Sequence, residues 1–532
     1  MKLNNSLNCI LLLTALLAFP GNPVRAGEIW TDGQDASLVL GTATFTSSTI
    51  GTGPEDLNHC SGIATDPATG KVFVTDTANH RVLRYDSFEN LSNGGDAEAV
   101  FGQADFGTGA SGLSVSAMNI PFGLTVGPDG ELWVVDQTNN RVLRFDNAAT
   151  ASSGADADGV LGQSDFSTST VGAGTTGLNE PHDVAVNSDG VLFILDTDNN
   201  RVLVFTDAVN KSDGAAADAV LGQPDFATTD PDTSQSTLRY ARGIAVDSNG
   251  TLFVSDQSNK RIMIFDDAGN LSSGSNADRQ IGQPDFDTST AGTDDWSFDS
   301  IDGIDIGTDG SLYVCDNSNA RILIFENAAS LSGVSTPDNV LGQPDFAGTS
   351  SNRTAAGFIG PNDVAIDNAG NLWMADVTGR RVLAFEKFIL QPDLTVGSSA
   401  SELKGDDVYN ANAAGQRKSI RTDGRKVKVY CTIGNDGTID EAYTLQGKGT
   451  TRRFKVKTWL ISGGRTNVTS AVKNGIHSTT ELANGESLRY RIEVTPKGRT
   501  RSQRANFNAW LRASSPTDGE VDKVIGRIQN RP

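Results

Sequence analysis

Ser61, Phe122, His182, Arg242, Asp302 and Asn362 stand at successive steps of 61, 60, 60, 60 and 60 residues. The next position in each step reads Gly62, Gly123, Asp183, Gly243, Gly303 and Asp363. Three residues before that stand His59, Ile120, Glu180, Tyr240, Ser300 and Gly360. An imidazole, a guanidinium, a carboxylate and a carboxamide at equivalent places in successive repeats can converge on one polar ligand if the repeats close into a ring. The expected ligand-binding residues are therefore His59, Glu180, His182, Tyr240, Arg242, Asp302 and Asn362. Asp183 and Asp363 lie three repeats apart, so a six-fold ring would set them face to face. Oxygen ligands lining a channel suit calcium, which makes these two the expected metal pair. A blander reading stands beside this one: polar residues at a solvated mouth need no ligand, and Arg242 and Asp302 can pair with each other.

The elements that must position these residues follow from the same period. The strings VLGTATF, VFGQADF, VLGQSDF, VLGQPDF, QIGQPDF and VLGQPDF place their glycines at 41, 102, 162, 222, 282 and 342. An Asp-x-x-Asn-x-Arg pattern starts at Asp76, Asp136, Asp196, Asp256, Asp316 and Asp376, with Gly379 replacing the Asn in the last copy. A fixed period defines the architecture before any local feature does. Within one period GIAVD (243–247), TLFVSD (251–256), RIMIFD (261–266) and QIGQPDF (280–286) are short β-branched or aromatic runs bounded by turn residues. Four strands per unit, six units and no sustained helical period predict an all-β fold, a six-bladed β-propeller.

The copy at 39–45 precedes any first-to-third strand set, and the last set, 361–386, lacks a fourth strand. The N-terminal segment is thus expected to close the ring as the outer strand of the sixth blade, removing free edges. Parity then puts the residues before each first strand and the second-to-third turns on one face, the channel mouth. Asp196-Thr-Asp198-Asn-Asn200 imitates the start of a calcium loop. Arg201 occupies the sixth place where the sharp turn needs Gly, so an Asx-type turn with a structural Arg is the better reading.

The stretches IPFGLTVGPDGELWVVDQTNNRVLRF (120–145) and EPHDVAVNSDGVLFILDTDNNRVLVF (180–205) resemble the NHL repeat, and the resemblance covers roughly residues 36–388. It implies a propeller with four antiparallel strands per blade. Some six-bladed relatives of this class are metal-dependent enzymes, amidating lyases and more distantly lactonases. Beyond the leader this chain has only His59, His80, His182 and His477, and just two of these reach the mouth, so the zinc site of an amidating lyase is missing. No Gly-x-Ser-x-Gly elbow, phosphate loop or cysteine nucleophile setting occurs either. After Phe385 the period stops, and PDLTV, TIGNDGT and LRYRIEVTP resemble the CARDB type of bacterial immunoglobulin-like module. That resemblance implies adhesion or spacing at the cell exterior. The alternating runs 425–437, 453–461, 486–496 and 507–514 are expected to form half-buried antiparallel strands of a β-sandwich.

Residues 1–26, MKLNNSLNCILLLTALLAFPGNPVRA, read as a secretory signal peptide cleaved after Ala26. This leaves 27–388 as the propeller and 389–532 as the Ig-like, CARDB-like sandwich. Cys60, Cys315 and Cys431 are an odd set without paired spacing, expected to be buried free thiols. Residues 1–390 carry 19 Lys+Arg against 51 Asp+Glu, a net −32, whereas 391–532 carry 24 against 14, a net +10. The basic clusters around 425–428, 452–457 and 499–504 predict a positive stripe, for which an anionic envelope polymer or the acidic propeller is the expected partner. Nucleic acid is not expected, for want of a recognition motif, and neither is a membrane span. The leading expectation is an exported, non-catalytic protein of the cell envelope, binding a protein or glycan on the propeller with the sandwich as adhesive spacer. The alternative is a calcium-dependent lyase or hydrolase working at the channel mouth.

Overall fold

A computed structural model describes residues 28–292 and 296–389, and beyond them the strands and several connections between 392 and 530. The leader at 1–26 lies outside the described residues. Two compact units are formed, one of Ile29–Phe388 and another that includes Ile389–Pro532.

The first unit contains six antiparallel sheets of four strands. In the fourth of them, Gly243–Val246, Leu252–Asp256, Arg261–Phe265 and Arg279–Ile281 pair in chain order. The second strands (VFVTD, LWVVD, LFILD, LFVSD, LYVCD, LWMAD) are buried along their whole length. They do not alternate apolar and polar residues because both faces of each blade pack against a neighbour. Six apolar clusters result, each drawn from two adjacent blades; Leu195 and Val202 of the third, for instance, share one with Val254 and Met263 of the fourth.

The ring closes as the repeat count requires. Leu38–Leu40 pairs with the third strand of the sixth blade, in the register Leu38↔Ala384, Val39↔Leu383 and Leu40↔Val382. The fourth strand of a complete blade is only three residues long, and the Gly-Gln-x-Asp-Phe that follows is its exit turn. Gly222 sits there at φ +77°, and a Cβ would meet the Leu238 side chain at 2.4 Å, so both conformation and close approach demand Gly. The Phe of each exit turn is half-buried against an interblade cluster.

Each Asp-x-x-Asn-x-Arg string is a one-turn 3₁₀ segment, or in the last blade a plain turn, whose side chains tie three pieces of chain together. Asp196 Oδ2 accepts from Arg201 Nε at 2.7 Å and from Asn199 Nδ2 at 2.8 Å, while its Oδ1 accepts the Asn179 N–H at 2.7 Å. Arg201 also donates to the carbonyl of Phe226 in the exit turn at 2.7 Å. In the sixth blade the same guanidinium bond runs from Arg381 to the carbonyl of Phe45, so the N-terminal copy of the exit turn fills its place. The Gly379 substitution costs the Asn side chain its bond. The backbone N–H of Gly379 takes over, reaching Asp376 Oδ1 at 3.1 Å, and a Cβ there would strike that carboxylate.

The second unit holds a six-stranded and a five-stranded sheet. Val429, Cys431, Val456 and Tyr490 of the first sheet share one apolar core with Leu445 and Leu511 of the second. The runs expected as strands appear at Val427–Asn435, Phe454–Leu460, Ser487–Pro496 and Ala505–Ser514. All four pair antiparallel, as expected, while one further pair, Arg417–Thr422 with Val521–Asn530, runs parallel. A short helix, Thr469–Asn474, also packs into the core through Val472. Cys60, Cys315 and Cys431 are buried free thiols, and burial pushes Cys431 up to about 12.

Candidate functional site

The first strands of all six blades line a central cavity of about 180 Å³. At one end of it Phe122, His182, Arg242, Asn362, Asp183 and Asp363 converge on a second cavity of about 10 Å³. That is room for about one water molecule. Three of the expected ligand residues, His182, Arg242 and Asn362, and both of the expected metal pair are thus brought to one ring. His182 Nδ1 lies 2.8 Å from the carbonyl of Arg242, and since a carbonyl only accepts, Nδ1 carries the proton. The ring packs against Phe122, tilted by 49° with centroids 4.0 Å apart. Its Nε2 is buried and has no partner. Burial, helped by the nearby Arg242 charge, pushes the imidazole down to about 3, so it is neutral.

Arg242 lies 3.7 Å from Asp302, which is the simple pairing the sequence allowed. Its guanidinium also stacks over the Tyr240 ring at 4.9 Å and donates to the Tyr240 hydroxyl at 3.1 Å. Asp302 does not line the small cavity. It accepts from Gln257 Nε2 at 2.7 Å, and burial, opposed by Arg242, pushes it up to about 6. Asn362 Nδ2 donates to the Ser61 carbonyl at 2.6 Å, linking the sixth blade to the first.

His59, Glu180 and Tyr240 do not enter the ring. They occupy left-handed backbone positions at φ 63°, 47° and 51°, one turn outside it. Their N–H or carbonyl groups tie them to second-to-third turns: Tyr240 N–H donates to Asn200 Oδ1 at 2.8 Å, and Thr77 N–H donates to the His59 carbonyl. His59 and Tyr240 are exposed and Glu180 is half-buried. His80 accepts the Ile120 N–H at 3.0 Å, a structural duty consistent with leaving it out of any ligand set.

Asp183 and Asp363 both line the cavities, and each bridges two blades. Asp183 accepts the N–H groups of Val184 at 2.8 Å and Ile244 of the next blade at 3.0 Å. Asp363 accepts from Ile63, across the closure between blades six and one, at 2.9 Å. Burial raises both carboxyls, and the charge of Asp183 adds to the rise at Asp363. Among the described residues no three His, Cys, Asp or Glu side chains are grouped so as to hold a metal ion. The glycines that replace these aspartates in the other blades let adjacent strands approach: a Cβ on Gly303 would lie 2.7 Å from Asp363 Cα.

Sequence reasoning missed Asp305. It accepts from Ile306 at 2.8 Å and from Ile366 of the sixth blade at 2.7 Å, and burial pushes it up to about 7. The repeat held the signal, since its column reads Ala64, Thr125, Ala185, Ala245, Asp305 and Ala365. Gln257 was missed too, because its role as donor to Asp302 depends on contact between blades four and five.

Comparison with known proteins agrees with this architecture. Residues 46–325 match the model of the Teneurin NHL domain. Human Teneurin-4 is 24% identical over 494 residues, which is 79% of this chain and 16% of that protein. Mouse Teneurin-1 is 26% identical over 356 residues, 58% of this chain and 13% of that protein. The chain therefore spans at most about one sixth of the length of these relatives. Among solved structures, a gluconolactonase from Xanthomonas campestris is 17% identical with a TM-score of 0.36, covering 69% of this chain and 99% of that one, a likeness too low to carry any argument about activity. With more than half of its length matched by the family model, the chain belongs to the Teneurin NHL domain family.

Proposed function

We propose that the chain is an exported, non-catalytic binding protein whose propeller takes a protein segment on its mouth face. The observation that carries this reading is the Tyr240–Arg242 pair. Tyr240 is 39% exposed, one of the few large apolar residues left in water, and its ring is braced from below by a stacked guanidinium. Tyr and Arg are the residue types that most often dominate binding energy at protein interfaces, and a held aromatic loses little entropy on binding. The titratable groups of the mouth are meanwhile occupied with holding blades together: His182 to Arg242, Asp183 to Ile244, Asp363 to Ile63. Membership of the Teneurin NHL domain family supports a protein partner over a small substrate. Export rests on the leader-like residues 1–26. The unit beyond residue 388 is read as an Ig-like spacer, supported by two sheets around one core.

A displayed random-peptide library tests the reading. Peptides selected on the wild-type propeller should bind Tyr240→Ala and Arg242→Ala about tenfold or more weakly, since an anchor of this kind is worth at least ~1.4 kcal/mol. Recovery of ligands only from a glycan array, binding that survives both substitutions, or Asp302-dependent turnover of lactone substrates would each refute it.

A further inference from the structure

The six-stranded sheet of the second unit turns one face to the core and one away. Along Phe454–Leu460, Phe454, Val456 and Thr458 are buried, Lys455 is exposed and Lys457 is half-buried. Along Ser487–Pro496, Tyr490, Ile492 and Val494 are buried, while Arg489 is exposed and Arg491 half-buried. On the third strand Val429 is buried and Lys428 is exposed. The register then assembles the outer face. Lys457 stands opposite Glu493, Glu493 stands opposite Lys428, and Trp459 stands opposite Arg491.

Five cations from three adjacent strands therefore share this face with one carboxylate. Glu493, only 6% exposed, pairs with Arg491 at 3.1 Å and offsets that one cation, so the face keeps a net positive charge of about four. Neighbouring strands lie ~4.8 Å apart and alternate residues ~6.6 Å apart, so each of these cations is within about one Debye length, ~8 Å, of its nearest neighbour in the group. Their potentials add.

We propose that this face binds a linear polyanion that carries sulfate or carboxylate groups along its length. Charge complementarity is one ground. Another is composition: on these three strands the described exposed side chains of this face include Lys428, Lys455 and Arg489, with no exposed large hydrophobic among them. A protein partner would need an apolar interface core, and Lys is depleted from such cores. Long, hydrated lysine side chains on an outward sheet face suit a solvated polymer instead. Trp459, with the Lys457 ammonium 5.5 Å from its ring centroid, adds an aromatic surface at the edge of the cationic row. This inference is independent of the mouth.

The full chain makes a demanding test because its net charge is −22 and a polyanion repels it as a whole. Retention on heparin resin at low salt with release at moderate salt is the expected result. The triple variant Lys455→Gln, Lys457→Gln, Arg489→Gln should pass through unretained, while Lys455→Arg/Lys457→Arg should bind as wild type and exclude misfolding as the cause. Lys211→Gln on the propeller should change nothing. Passage of the wild type, or undiminished retention of the triple variant, overturns the proposal. Binding to a DNA duplex but not to heparin or polygalacturonate would assign the face to nucleic acid. Sedimentation showing low-salt self-association that the triple variant abolishes, without heparin retention, would assign it to the acidic propeller of a second copy.

Discussion

The second-to-third turns and the channel mouth are built from the same six blades and lie on the same face, yet they obey opposite rules. The turns repeat. Asp196, Asn199 and Arg201 have counterparts in nearly every blade, and in all six blades the Asp–Arg ion pair is fully buried at 2.7–2.9 Å. The mouth does not repeat: its six equivalent residues are of six different types, one imidazole nitrogen is left without a partner, and the carboxyls of Asp183, Asp302, Asp305 and Asp363 are raised by burial. Shared residues build the blade, and singular residues are free to do something particular to one blade. A buried charge that recurs six times is therefore weak grounds for a ligand, whereas a lone Asp305 in a column of small residues is a strong pointer.

Deletion of residues 27–46 should break the comparison most severely, because it removes both the outer strand of the sixth blade and the carbonyl that Arg381 holds. The exposed edge should cost most of a domain's stability of about 5–15 kcal/mol and promote aggregation. A truncated chain that melts like the intact one would refute the closure. Next in size is Arg201→Ala, which strands the buried Asp196 carboxylate and frees the exit-turn carbonyl of Phe226. Removing one partner of such a pair costs roughly 3–5 kcal/mol, measurable by denaturant unfolding. Substitution of Arg242, whose pair is loose and partly exposed, should cost far less, so equal losses would erase the distinction drawn between turn and mouth.

The smallest effect concerns pH. Asp305 is raised in the folded state to about 7, so the folded protein binds a proton that the unfolded chain releases. Its contribution is fully present below the ordinary carboxyl range and is lost as pH rises toward 7. From pH 5 to 7 this amounts to roughly 2–3 kcal/mol at ~1.4 kcal/mol per unit, and Asp305→Asn should flatten the fall in melting temperature across that range. Asp183, which burial also raises to about 7, lines the same channel, so the single substitution should reduce the slope without abolishing it. A slope unchanged in the variant would place the titration elsewhere.

Much of the first unit was legible in the sequence because repetition turns a long-range problem into a local one. The glycine spacing counted the blades, and the orphan VLGTATF named the closing strand before any pairing was known. The ring membership of His182, Arg242 and Asn362 was legible for the same reason. The positions of His59, Glu180 and Tyr240 were less so: they share the period, but a left-handed backbone turn carries them outside the ring. In the second unit, which has no repeat, alternation found the strands but not the parallel pair of Arg417–Thr422 with Val521–Asn530.

Sequence alone determined how many blades there are, which residues face their neighbours and where charge of each sign is concentrated. These depend on composition, period and alternation, all of which are local along the chain. The tertiary structure alone decided which groups meet across blades: that Gln257 satisfies Asp302, and that Asp183 and Asp363 each spend an oxygen on an N–H group of the next blade. The physical reason is that a hydrogen bond depends on distances of a few tenths of an ångström, here between residues 45, 61 and 300 apart in sequence, and only packing of the blades sets those distances.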